Sequence, residues 1–289
     1  MNMKPLATVE LVWAQRGTSP GDHECWRLSS PGRNELLRLQ DSLLQEVAPQ
    51  GQWILLEFVG QGVDLVVRNP VIIPEIGERA LIERQYGWLP VNKEYILWEM
   101  WGMLAHLQDD ALRAFYLSVL TDDAIIRPFF QAKASHHHHH DHVGGLIEHS
   151  HEVATTAAAL CLQHQVGPLS ASVAFIGGLL HDIGKIHLYY NHIEGRGICG
   201  QHESFNFMVL AKPLERLSKS APKIFEAISA CLSIRIGGQV DSYLSANMVK
   251  ICDRLSVDVC NWRRAFDAVP PYYWYAKSPH DAQLYKRLG

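Results

Sequence analysis

Eight of the sixteen histidines fall between His136 and His151, in Ser-His-His-His-His-His-Asp-His-Val-Gly-Gly-Leu-Ile-Glu-His149-Ser-His-Glu-Val. Further along comes Gly-Gly-Leu-Leu-His181-Asp182-Ile-Gly-Lys185. Imidazole is the commonest protein metal ligand, and clustered imidazole with a carboxylate suits Zn, Fe, Ni or Mn. The expected chemistry is therefore metal-centred. Asp182 closes the apolar run Ala-Phe-Ile-Gly-Gly-Leu-Leu-His. A carboxylate buried there needs a compensating cation, because unpaired burial of a charge is expensive. Asp253, in Ile-Cys-Asp253-Arg-Leu-Ser-Val on an apolar helix, raises the same need.

The elements that must position these residues are mostly helices. Residues 148–164 form a helix with Val153, Ala157, Leu160 and Cys161 as its apolar stripe, and Val153, four residues beyond His149, anchors that face. Residues 172–183 form a second helix, small and apolar through most of its length and so deeply buried, with Gly184 placed as a left-handed C-terminal cap. Residues 187–201 read as a loop. Helices follow over 205–217 (interrupted near Pro213), 222–234 and 241–266. Upstream, helical texture begins at Lys93, over 95–107 and 109–120.

Residues 7–13 alternate weakly as a strand. Leucines 36, 37, 39, 43 and 44 have a helical period that predicts a helix over 34–47, with Asn34 as its N-cap. The β-rich runs 53–59 and 63–67 around Gly60-Gln-Gly62 predict a hairpin. The expected fold class is thus mainly α. A small α+β N-terminal region (1–92), carrying no motif with chemistry, precedes a helical domain (93–268) and an aromatic, proline-rich, irregular tail (269–289).

At 289 residues the chain is long enough for a substantial core, and 47% apolar with 19% charged content is a globular balance. A net charge of −4 argues against a broad basic surface for coating a duplex, though not against a local phosphate site. Six scattered cysteines without a C-x-x-C pair fit a reducing compartment. No signal peptide and no run of the roughly 18 apolar residues that a membrane span needs are evident, so a cytoplasmic protein is expected.

His149, His181-Asp182 and Asp253, with His-Asp-Ile-Gly-Lys around the pair, resemble the HD superfamily of metal-dependent phosphohydrolases over about residues 95–260. The resemblance implies a helical bundle in which His149, His181, Asp182 and Asp253 bind one divalent metal ion (Mn, Fe, Ni, Zn or Mg). Asp182 would be central to catalysis. Lys185 would contact phosphate, or else serve as a cation favoured by a helix C-terminus.

The approach Phe129-Phe130-Gln-Ala-Lys-Ala-Ser135, the His run and Gly144-Gly145-Leu-Ile-Glu-His149-Ser narrow the likeness. They resemble the TraI-type domain of H-class conjugative relaxases and the YhaM-like 3′–5′ exoribonucleases. The family's three upstream histidines match His138, His139 and His140, which become additional metal or phosphate ligands, as does His202 in Gly200-Gln-His202-Glu203. The exonucleases carry a late His-His-Gly, but here the stretch reads Leu232-Ser-Ile-Arg235-Ile-Gly-Gly, so one metal is expected rather than two.

The implied function is a phosphodiesterase or nuclease acting on nucleic acid, with single-stranded DNA favoured and conjugation or mobile-element proteins as partners. The alternatives are a nucleotide or cyclic-nucleotide phosphohydrolase, a 3′–5′ exoribonuclease, and an interaction module without catalysis. A tyrosine nucleophile among Tyr272, Tyr273 and Tyr275 is weighed against a packing or surface role, which is favoured. His151 is expected off the first coordination shell and His164 at a helix end, with His187 and His192 weak candidates. Glu148 and Glu152 either orient His149 or are simply solvated.

Overall fold

The computed structural model describes residues 7–19, 23–37, 39, 43–48, 50–60, 65–135, 140–190, 202–233, 240–278 and 283–288. Two compact units divide the chain, residues 1–127 and 128–289.

The first unit is built on an antiparallel sheet of β1 (Ala7–Ser19), β2 (His23–Ser30), β3 (Arg33–Leu37), β4 (Gln52–Val59) and β5 (Val66–Ile72), in the order β3-β2-β1-β4-β5. Its sequence alternates, so Val12, Ala14, Ile54, Leu56 and Phe58 share one face and pack with Trp26, Leu28, Leu44 and Val47. The expected hairpin is present as β4 and β5, antiparallel from Val59↔Val66 to Ile54↔Ile72. The expected helix over 34–47 is not. Pro31-Gly32 makes a two-residue turn that returns the chain as β3, with Ser30 opposite Arg33. Arg33 then pairs with Glu10 on β1 at 2.8 Å. Pairing thus overrides the leucine spacing, and Leu44 and Val47 cover the sheet from an irregular segment.

Helices α1 (Arg79–Tyr86), α2 (Glu94–Met103) and α3 (Asp110–Leu120) also belong to this unit. Helices therefore begin at Arg79, ahead of the change of texture at Lys93, and the compact unit runs on to residue 127. Polar cross-links explain why. The fully buried Gln85 accepts from Trp101 Nε1 at 2.9 Å and donates to the Leu120 carbonyl at 2.8 Å. Asp109 caps α3, as its side chain accepts from Leu112 N. Gln85→Ala would strand the indole N–H and the carbonyl together. A loss of about 2–3 kcal/mol is expected, read by urea denaturation.

Helix α4 (Asp123–Gln131) carries Pro128, where the second unit begins. That unit contains α5 (Gly145–Gln163), α6 (Pro168–Leu180), a 3-10 turn (Ile183–Lys185), α7 (Ile186–Tyr189), α8 (Glu203–Val209), α9 (Ala211–Ser220), α10 (Pro222–Leu232) and α11 (Leu244–Phe266). Helix α5 packs on α6 and α11, and α6 also meets α10. Gly178 permits the α5–α6 approach, since a Cβ there would lie 2.9 Å from Ala154 Cα.

Two expectations change here. Residues 168–189 are long and apolar enough to cross a membrane, yet 83% of the apolar 18-residue window within them is buried, as in a core helix. Among the described residues of the tail, β6 (Tyr275–Lys277) and β7 (Leu284–Lys286) pair into a ribbon, so the tail is not wholly irregular. Ala276 and Tyr285 of the ribbon pack on Ala265 and Phe266 of α11.

Candidate metal centre

Three elements converge. Helix α5 supplies His149 from its second turn, the end of α6 supplies His181 and Asp182, and the middle of α11 supplies Asp253. His149 Nε2 faces Asp253 Oδ1 at 3.2 Å and Asp182 Oδ2 at 3.5 Å. His181 Nε2 faces the same two oxygens at 3.6 and 3.4 Å. Metal–ligand bonds of about 2.0–2.2 Å require ligand atoms roughly 2.8–3.6 Å apart in octahedral or tetrahedral arrangements. The observed edges fall in that range. His181 Nε2 is moreover buried without a hydrogen bond, a costly state unless another partner is intended. A divalent cation therefore fits this donor set.

The imidazoles are held in the tautomer a cation requires. His181 Nδ1 lies 2.6 Å from the Gly178 carbonyl, which can only accept, so Nδ1 keeps its proton and Nε2 is the atom left for a cation. His149 is set by a relay. Ser256 Oγ donates to Glu152 Oε2 at 3.0 Å, which leaves its lone pair to accept from His149 Nδ1 at 3.1 Å. Glu152 thus acts on His149 through Ser256, which residue-type reasoning overlooked. Ser256 sits three residues after Asp253, on the same face of α11, and that spacing is the signal that could have found it.

Electrostatics agree with a cation-seeking site. Burial disfavours the His181 imidazolium, but Asp182 and Asp253 outweigh it and lift the pKa to about 9. Burial opposes the Asp182 carboxylate, yet Lys185, His181, His149 and His202 hold it well below the usual range. Asp253 is likewise lowered, with burial overcome by the imidazoles of His149 and His181 that face it. Lys185 Nζ donates to Asp182 Oδ2 at 2.6 Å. His202 Nε2 meets the other oxygen, Oδ1, at 2.7 Å.

The turn bearing Asp182 is braced by a residue that carried no signal in the sequence. Fully buried Asn206 on α8 donates to the carbonyls of His181 and of Leu232, the latter at 2.9 Å, and accepts from Gly184 N at 2.7 Å. Gly184 is not the expected left-handed cap, since its φ is not positive. It lies within the 3-10 turn, where a Cβ would crowd the His202 carbonyl and come within 2.7 Å of Asn206 N. Close approach, rather than conformation, calls for glycine there.

Of the remaining candidates, His140 lies beside the centre, its ring 5.7 Å from that of His149. His138, His139, His192 and most of the stretch 232–238 lie outside the described residues. His151 is buried on α5, His164 ends that helix, and His187 is exposed against Phe205. Tyr272, Tyr273 and Tyr275 are exposed beyond Phe266, which is about 20 Å from Asp253 along α11 at 1.5 Å per residue.

Residues 146–258 match the family model of the HD domain. The match spans His149, His181, Asp182, Lys185, His202 and Asp253, and it supports the resemblance to the HD superfamily, whose domains are typically metal-dependent phosphohydrolases. No curated protein and no solved structure matches the chain.

If Ser256 orients His149, Ser256→Ala lowers divalent-cation affinity about 10–100-fold, and Ser256→Thr restores most of it. Titration calorimetry with Mn²⁺ reads this directly. Equal affinities in all three proteins would remove the relay from the account.

Proposed function

We propose that the second unit is a metal-dependent phosphodiesterase acting on nucleic acid, with single-stranded DNA its favoured substrate. In this reading it is a relaxase-like HD domain that serves conjugative or integrative DNA transfer alongside other mobile-element proteins. The observation that carries the hydrolytic part is the convergence of His149, His181, Asp182 and Asp253 at the edge lengths of a coordination polyhedron.

A divalent cation held by those four residues supplies water acidification and neutralisation of phosphate charge. The chain's own groups do the rest. Lys185 offers a fixed positive charge beside Asp182 for a phosphate oxygen. His202 holds the outer oxygen of Asp182, so the inner one stays turned toward the imidazoles. Ser256 and Gly178 keep the proton on Nδ1 of each histidine.

Support for a single-stranded polymer comes from the ribbon and the aromatic segment that leads into it. Tyr272 and Trp274 are 79% and 56% exposed, and Lys286 Nζ lies 5.3 Å from the Trp274 ring centre. Exposed aromatic rings interleaved with cations favour base stacking along a strand. On this reading the tyrosines bind, while the attacking group belongs to the metal centre.

The test is an assay with Mn²⁺ on single-stranded DNA, RNA, mononucleotides and cyclic nucleotides, comparing the parent with Asp182→Ala. Cleavage of single-stranded DNA that the variant lacks is the expected result. Preferred turnover of nucleotides, or stepwise RNA degradation from the 3′ end, would reassign the substrate. A bound metal with no turnover of any phosphoester would leave an interaction module.

A further inference from the structure

We propose that His140, His142 and Glu148 form a second cation site, separate from the centre described above, that takes a borderline divalent ion of the Zn²⁺ type. One potential ligand atom from each of the three lies within 4.8 Å of the other two. His142 Nε2 is 2.8 Å from Glu148 Oε2, and His140 Nδ1 is 3.8 Å from the same oxygen. Two imidazoles and a carboxylate are the donor set of three-ligand zinc sites that keep a position open.

The turn that presents these groups is built, rather than incidental. His140 adopts φ +53, a left-handed conformation uncommon outside glycine. It is held there because its carbonyl accepts from Ala134 N at 3.0 Å, while Gly145 N donates to the His142 carbonyl at 2.8 Å. Gly145 has no room for a side chain, since a Cβ would crowd the His140 carbonyl oxygen and lie 2.7 Å from its carbon. A surface ion pair between His142 and Glu148 requires neither this backbone nor a second imidazole. Strain kept by surrounding structure is more often found where ligands are held.

The site shares no donor with the first centre, yet it sits beside it. His140 stands between Glu148 and Glu152, its Nε2 3.7 Å from Glu152 Oε2, and Glu152 leads through Ser256 to His149. A cation here replaces the contact between His142 and Glu148 by coordination to both. The bound ion adds positive charge next to the first centre, where an anionic substrate gains from it.

The experiment measures Zn²⁺ equivalents by titration calorimetry and by elemental analysis after gel filtration. Its background protein carries alanine at His136, His137, His138 and His139, because that run chelates on its own. Two equivalents are expected. His142→Ala with Glu148→Gln removes one, and Asp182→Ala removes the other. His142→Gln serves as the second variant, since an amide can still donate to Glu148 and hold the turn but is no zinc ligand; it too loses one equivalent. Two equivalents retained in His142→Gln, or a background that binds only the ion Asp182→Ala removes, would overturn the site. Loss with His142→Gln and none with Asp182→Ala would leave this site standing and sink the phosphohydrolase reading instead.

Discussion

Asp182→Ala abolishes cation binding at the candidate centre and lowers phosphoester turnover at least about 10³-fold, a change that corresponds to roughly 4 kcal/mol in the barrier. The size follows from how many groups depend on this one carboxylate. Its Oδ2 faces both imidazoles and accepts from Lys185, and its Oδ1 meets His202. Removing it deletes one of two negative charges in the donor set and leaves Lys185 and His202 without their common partner. The metal-free protein should weaken as well, because breaking a buried pair strands the remaining charge. Asp182→Asn separates the effects. It preserves shape, so the fold is kept more fully, while cation binding and turnover are still lost. Elemental analysis with a turnover assay reads the first effect and thermal unfolding the second. A variant that keeps both metal and activity would exclude Asp182 from the site.

Asn206→Ala is expected to lower stability by about 3–4 kcal/mol, the largest loss for any single polar residue outside the donor set. Three backbone groups lose their partner at once: the His181 and Leu232 carbonyls and the Gly184 N–H. Each buried polar group left unsatisfied costs about 1–3 kcal/mol, and partial relaxation reduces the sum. Asn206→Asp fares no better, because it replaces two donors by a carboxylate oxygen facing two carbonyls. Because the same bonds fix the turn carrying His181 and Asp182, cation affinity falls together with stability. Urea denaturation and Mn²⁺ titration on the same protein check the pairing. A stability loss with unchanged affinity would show that the turn holds its shape without α8.

The candidate donors are legible in the sequence because each is a chemically capable residue in a setting where it is otherwise unexplained. Asp182 ends an apolar helix, and Asp253 interrupts another. Ser256 is half-legible, since its spacing from Asp253 is visible but serine carries no expectation of a metal role. Asn206 is invisible, because its three partners come from three separate elements and only the assembled bundle brings them together. The N-terminal unit misleads for a different reason. Five leucines between 36 and 44 fit a helix as readily as a strand and its covering segment, and the turn at Pro31-Gly32 decides between them through pairing with β2. The end of the first unit is hidden in the same way, because Gln85 reaches Trp101 and Leu120 across residues whose texture alone suggests a new domain. The His run draws the eye as the metal site itself, whereas the four converging donors include only His149 from that region.

The most direct test of the central claim is anomalous diffraction from crystals of the protein soaked in Mn²⁺. One peak is predicted within about 2.0–2.3 Å of Nε2 of His149 and His181 and of carboxylate oxygens of Asp182 and Asp253. Strong binding elsewhere on the chain with no density between those four residues would contradict it.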